Sequence, residues 1–317
     1  MTVTETVAPE TAATEVMNCQ RAIRSAIDTM LEKDERVLVL GEDVADPPGG
    51  VIGTTKGLST KYGTARVRAT PIAEQAIVGA AIGAALGGYR PIAEIMFCDF
   101  LAVSADQVMN HAAKLRYMSG GRTGVPITLT TFVAGGRFGA QHTQSLEGWF
   151  MHMPGLKIVM PSNPYDAKGL LTSCIRDDDP CLFIQPLSLM FNLKQDVPVA
   201  GYSIPLGQAA TPRSGDDLSI VAFGSTVPEA LSAAETLAGE GISAEVIDLR
   251  SLMPLDMDTV LASAARTKRV MVVHTSTEFC GPGAEISSQI HEELYGQLAA
   301  PVMRLGGPYS PMPFSQG

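Results

Sequence analysis

Three observations predict an α/β fold of two domains, each a mostly parallel sheet flanked by helices. Apolar strand-like runs alternate with helical-period segments along most of the chain, the pattern of strand–helix–strand units. The alternation is interrupted once, by a segment rich in Pro, Gly and polar residues near residues 191–216. The length, 317 residues, exceeds what one hydrophobic core usually holds. The chain is therefore divided into a flexible N-terminal arm over 1–16, a first domain over 17–190, a linker over 191–216 and a second domain over 217–317.

The arm, MTVTETVAPETAATEV, has neither a basic start nor an apolar core, so it does not read as a signal peptide. Residues 18–33 place Ala22, Ile23, Ala26, Ile27, Met30 and Leu31 at helical spacing, with Asn18 as cap. RVLVLGEDV then supplies a buried strand over 37–40 that ends in Gly41-Glu42-Asp43. A helix from Glu74 to Leu86 follows Thr70-Pro71. Next come a strand at 91–96, a long helix near 101–118, strands at 126–131 and 156–160, a helix over 166–176 and a strand around Phe183. The linker, FNLKQDVPVAGYSIPLGQAATPRSGDD, predicts a short hairpin. In the second domain LSIVAFGS, SAEVIDLRSL, RVMVVHT and PVMRLGG read as strands. Helices at 228–239, 256–266 and 284–295 lie between them.

Composition removes several classes of function. With 23 basic against 33 acidic residues and a net charge of −10, the surface is wrong for nucleic acid. No apolar run reaches membrane-spanning length. The five cysteines, Cys19, Cys98, Cys174, Cys181 and Cys280, are dispersed and form no CxxC pair, which predicts reduced thiols and a cytoplasmic protein. Charged residues are only 18% of the chain and mean hydropathy is +0.15, so burial is extensive, and part of it is expected between subunits.

Local chemistry concentrates in a few places. Glu74 opens a helix whose Gly79, Gly83 and Gly87 share one face; this fits both a tightly packed core helix and a helix–helix contact between subunits. A carboxylate in a first turn is favoured by the helix dipole, so Glu74 on local sequence alone reads first as a helix-end carboxylate and only second as a reactive one. Glu42 and Asp43 follow a strand, where open α/β sheets bind ligands, or else form a solvated turn. His142, in the loop GGRFGAQHTQS, is either an acid–base group or a surface histidine. The chain has no HExxH, no Cys/His cluster, no GxGxxG, no GxxxxGK[ST] and no GxSxG. A sheet that promises a ligand thus lacks a phosphate cradle of its own. Either the ligand lacks phosphate or another chain grips it.

LGEDV, TPIAEQAIVGAAIGAALGG, RPIAEIMFCDF, DQVMNHAAKLRYMSGG, the run from Gln141 to Leu171 and IDLRSLMPLD occur in an order that spans residues 18–307. In these segments the chain resembles the beta subunit of the thiamine-diphosphate-dependent decarboxylating component of 2-oxoacid dehydrogenase complexes, of pyruvate, branched-chain or acetoin type. The resemblance implies a pyrimidine-binding domain followed by a transketolase C-terminal-like domain. It implies an alpha subunit, in an alpha2beta2 heterotetramer, that ligates Mg2+ and holds the cofactor's diphosphate; Gly215-Asp216-Asp217 does not match the motif that would do this here. It also implies transfer of an acyl group to lipoamide on an acyltransferase core.

By the same resemblance Glu74 bonds the aminopyrimidine ring nitrogen and Phe100 packs against that ring. Glu42 and Met96 line the cofactor cleft, and His142 faces the substrate. A structural potassium ion is implied near Cys174, Asp177 and Asp179. The chain departs from the family pattern at Thr130, Arg137-Phe138, Gln185 and Thr275, and in stopping at Pro313-Phe314-Ser315-Gln316-Gly317, which leaves the substrate open. Two other readings stand beside the dehydrogenase. One is a split thiamine-dependent transferase that moves a two-carbon unit, and the other a subunit that keeps the interface without turnover.

Overall fold

A computed structural model describes residues 13–136 and 138–314 of the chain. Residues 1–12, Arg137 and residues 315–317 lie outside it. They include most of the predicted arm, one of the two residues that depart from the pattern in the glycine loop, and the end of the chain.

The first region contains β1 (Thr14–Asn18), α1 (Cys19–Lys33), β2 (Val37–Gly41), α2 (Leu58–Tyr62), β3 (Val67–Ala69), α3 (Glu74–Leu86) and β4 (Arg90–Phe97). A 3-10 turn over Cys98–Ala102 and a π-helical turn over Gln107–Ala112 lead into α4 (Ala113–Met118). β5 (Thr128–Val133), α5 (Glu147–Met151), β6 (Lys157–Val159), α6 (Pro164–Arg176) and β7 (Cys181–Pro186) complete it. After it come β8 (Lys194–Pro198), β9 (Ala210–Arg213), β10 (Leu218–Ala222), α7 (Thr226–Gly239), β11 (Ala244–Asp248) and β12 (Ser251–Met253). α8 (Met257–Thr267), β13 (Val270–Thr277), α9 (Pro282–Glu293) and β14 (Met303–Gly307) close the fold.

Two sheets carry the architecture. The first has the order β12-β6-β7-β5-β4-β2-β3 and is parallel except for β12; the second runs β14-β13-β10-β11-β9 and is parallel except for β9. Parallel strands are covered on both faces, which is why β5 and β7 are buried at every position. α1 and α6 pack on one face of the first sheet through Ala22, Ile23, Ala26, Leu170, Leu171 and their neighbours. α3 covers the other with Ile77, Val78, Ala81, Ile82 and Ala85. Asn18 caps α1 as its sequence predicts, its side chain accepting from the Arg21 amide at 2.9 Å. On the glycine face of α3, a Cβ built on Gly79 would meet Gln107 Cγ at 3.8 Å, while nothing among the described residues lies within 4 Å of one built on Gly83.

Several elements differ from their sequence prediction. Thr14–Asn18, mostly in the predicted arm, forms a strand because it pairs antiparallel with β8. β8 and β9 do not form a hairpin, since β9 instead pairs with β11. The helix expected near 101–118 is split into 3-10, π and α turns. SAEVIDLRSL is broken at Arg250, whose φ of 57° turns the chain out of the second sheet. β12 then pairs with β6 in the first sheet, and the Arg250 guanidinium bonds both oxygens of buried Asp166 at 2.9 and 2.7 Å. The two sheets are thereby bolted together at this corner.

Candidate active site

β2, β4 and β5 are adjacent and parallel, so their C-terminal ends form one edge. Open α/β sheets bind ligands at this edge. Glu42 follows the last residue of β2, and Glu74 begins α3 a few residues past the end of β3. Glu94 lies in the last half of β4, opposite Gly41 in register. A Cβ on Gly41 would stand 2.9 Å from the Glu94 carbonyl oxygen and 3.0 Å from its Cβ, so glycine is what lets Glu94 sit there.

The three glutamates interact through charge. Glu42 is 8% exposed, and its carboxyl is pushed above the usual carboxylate range by burial first, then by the charges of Glu74 and Asp43. Glu94 is 4% exposed and is pushed up to about 7. Burial dominates there, the Thr54 hydroxyl donating at 3.4 Å lowers it, and Glu42 raises it further. Oε1 of Glu42 and Oε1 of Glu94 are both buried without a hydrogen-bond partner among the described residues. A carboxyl that keeps its proton to higher pH than usual can donate a hydrogen bond, and buried oxygens without a partner in the chain suit a polar atom of a ligand. Glu74 is the acidic residue of the first turn of α3, directly after the N-cap Ala73, which has no side chain to cap the helix.

Beside the acids lies an aromatic group. The His142 ring meets the rings of Phe97 and Phe100 edge-on, at 5.2 and 5.3 Å between centroids. Phe97 also touches Phe100 at 6.2 Å and Phe138 at 6.1 Å, and half-buried Met96 packs on the Phe97–Phe132 cluster. The loop that carries His142 is pinned. Asp99 Oδ1 accepts from the Gln144 amide at 3.2 Å and from Gln144 Nε2 at 2.8 Å, and the Thr143 hydroxyl donates to the Gly139 carbonyl at 2.9 Å. Met96 and Phe100 are therefore in the same group as His142, while Glu42 and Glu74 belong to the acidic one; β4 carries members of both. Glu94, Phe97 and Asp99 are the residues that the sequence reading did not single out.

Cys174, Asp177 and Asp179 lie at the other edge of the sheet, where β6 and β7 begin. Lys157 bonds both oxygens of Asp177 at 2.7 and 2.6 Å, Arg90 donates to the Asp177 carbonyl at 2.8 Å and the Ile175 carbonyl at 3.2 Å, and Arg116 pairs with Asp179. The Asp177 and Asp179 side chains are thus held by cationic side chains of this chain. Among the described residues no cluster of His, Cys, Asp and Glu could hold a metal. No described helix is long and apolar enough to cross a membrane. Of the departures noted in the sequence, Thr130 and Gln185 are buried in the first sheet, and Thr275 meets Ser145 at 3.1 Å between hydroxyls.

The transketolase pyrimidine-binding domain family matches residues 15–191, and the transketolase C-terminal domain family matches residues 207–317. The chain is 48% identical to the beta subunit of acetoin:2,6-dichlorophenolindophenol oxidoreductase from Cupriavidus necator, over 94% of this chain and 91% of that one. It is 44% identical to the pyruvate dehydrogenase E1 component subunit beta of Bacillus subtilis, with 95% and 92% covered. It is 43% identical to the 2-oxoisovalerate dehydrogenase subunit beta of Pseudomonas aeruginosa, with 95% and 89% covered. Among solved structures, a split-gene transketolase described as an inactive beta4 tetramer superposes with a TM-score of 0.78 at 22% identity, covering 95% of this chain and 91% of that chain; this shows the shared fold.

The two domains and the acid–aromatic edge thus define a transketolase-type enzyme subunit of the thiamine-diphosphate family. Within it, the chain belongs to the family that includes the beta subunits of acetoin, pyruvate and 2-oxoisovalerate dehydrogenases.

Proposed function

We propose that this chain is the beta half of a thiamine-diphosphate-dependent 2-oxoacid or acetoin dehydrogenase, active with an alpha subunit in an alpha2beta2 heterotetramer. The observation that carries this reading is the pair of buried, unpartnered oxygens on Glu42 and Glu94 beside Glu74, next to the Phe100–His142 aromatic wall. Carboxyl oxygens that can donate or accept, set against an apolar ring, suit an aminopyrimidine. Glu74 and Glu42 would hold its polar edge, and Phe100 and Met96 its face. Thiamine diphosphate, when bound, supplies the electron sink for breaking a carbon–carbon bond beside a carbonyl.

The chain's own residues tune that setting. Glu74, half-buried at the first residue of α3, would meet the aminopyrimidine ring nitrogen with a carboxyl oxygen. Burial first, and then the charges of Glu74 and Asp43, make proton gain easier for Glu42. His142, fixed by its loop and flanked by two phenylalanines, presents an imidazole to substrate, to steady a carboxylate or move a proton. The diphosphate and Mg2+ would be held by the alpha subunit, since this chain has no phosphate motif, and the acyl product would pass to lipoamide on an acyltransferase core.

The test is to co-purify the chain with its alpha partner and assay 2-oxoacids and acetoin with dichlorophenolindophenol and with lipoamide. Thiamine-dependent reduction of the acceptor supports the reading. Formation of a longer ketol without acceptor reduction would identify the transferase instead, and no turnover with any substrate would leave a structural subunit.

A further inference from the structure

An apolar cavity of about 370 Å3 opens beside the aromatic group, walled by Val51, Ile52, Phe97, Phe132, Phe138 and Phe191. Among the described residues Ser188 supplies its one polar side chain. Phe97 is the shared wall: one side meets His142 and Phe100, and the ring also faces the cavity with Phe138. Phe97 and Phe132 are buried and fixed, whereas Phe138 and Phe191 are about half exposed and form the rim. The volume lies within the range of small-molecule sites, and at roughly 30 Å3 for a group the size of water it is many times what one methyl fills. Apart from Ser188, the described wall offers no hydrogen-bonding side chain to a carboxylate or a hydroxyl. It suits hydrocarbon.

We propose that this cavity receives the apolar arm of the substrate, so that the enzyme favours carbonyl compounds with a branched or longer alkyl group over those with a methyl. The proposal rests on the functional reading above, in which a substrate carbonyl lies next to His142. The carboxylate or carbonyl end stays on the His142 side of Phe97, and the alkyl end extends past it. Pyruvate and 2-oxoisovalerate, named for two of the relatives, differ only in the alkyl group on the carbonyl, methyl against isopropyl, and Phe97, Phe138 and Phe191 are the residues set to sense it.

The experiment measures kcat/KM of the complex with its alpha partner for straight-chain 2-oxoacids of three to six carbons and for 2-oxoisovalerate. The proposal predicts a rise of about fourfold per methylene seated. Ala134→Leu, which grows a side chain into the cavity, is expected to lower kcat/KM at least tenfold for the long and branched acids, mainly through KM, and to leave the three-carbon acid within about twofold. Ser188→Trp, from an exposed position, makes the same test where Ala134→Leu overpacks β5's end. A flat chain-length profile with robust turnover, or equal losses on every acid, would overturn the cavity's role while leaving the dehydrogenase reading intact. Loss of assembly with alpha in Ser188→Trp would show that the partner, not substrate, fills the cavity, and overturns it too. Absence of thiamine-dependent turnover on every acid by the unaltered complex would overturn the functional reading and this proposal together.

Discussion

Glu94 is the residue whose chemistry the fold changes most. A strand in the middle of a parallel sheet takes its carboxyl out of water, and Glu42 beside it discourages a second negative charge. With its pKa pushed up to about 7, the group is neutral below that pH and ionises above it. If it takes part in turnover of the assembled enzyme, an inflection near pH 7 is expected in kcat/KM. Glu94→Gln fixes the neutral form and should remove that inflection while changing the rate at pH 6 by less than about threefold. Persistence of the inflection in the variant would assign it to another group. Of the three acids, Glu42 and Glu74 were legible in the sequence because each sits at an element boundary flanked by recognisable motif residues. Glu94 was hidden inside the apolar run RPIAEIMF, where a single glutamate carries no sign of which neighbours the sheet will bring to it.

At the scale of elements, the site depends on how closely β2 and β4 approach. Gly41 has no space for a side chain, with Glu94 and Val44 atoms near 2.9 Å from its missing Cβ. Gly41→Ala should destabilise the protein by about 1–3 kcal/mol, read as a lower Tm, and lower activity further by displacing Glu94. An unchanged Tm would mean that the two strands separate freely. α1 was legible from apolar residues at helical spacing, and α3, β2 and β4 as apolar runs, because what buries them is written locally. The segment 98–118 was not, since a π-turn there inserts a residue without disturbing composition. Nor was the break at Arg250: its left-handed turn is stabilised by Asp166, 84 residues away.

For the whole molecule, the corner between the two sheets is a polar junction made from both. Asp248 is buried there, bonded by the Ser162 hydroxyl, and stands near the Asp166–Arg250 pair. Its carboxyl is pushed up to about 7, by burial first and then by the charge of Asp166, against the hydrogen bonds from Ser162 and Arg250. A carboxyl with a raised folded-state pKa binds its proton more tightly in the native chain than in the unfolded one. Its stabilising contribution is therefore complete below about pH 4 and lost as pH rises through about 7. Asp248→Asn should flatten the fall of Tm between pH 4.5 and 7.5 relative to the unaltered chain; parallel curves would remove Asp248 from the account. None of this junction was readable in advance, because IDLRSLMPLD announces a strand and says nothing of the sheet its second half will join.

In the proposed function the carboxyl at position 74, in the acidic cluster on the edge of the first sheet, acts as the acid–base group of a cofactor site completed by a second chain. The decisive measurement is the turnover of Glu74→Gln in the complex with its alpha partner. The expected kcat/KM is at least about 100-fold below that of the unaltered complex, with the same assembly and Tm. Activity within threefold of the unaltered complex, at equal assembly, would contradict it.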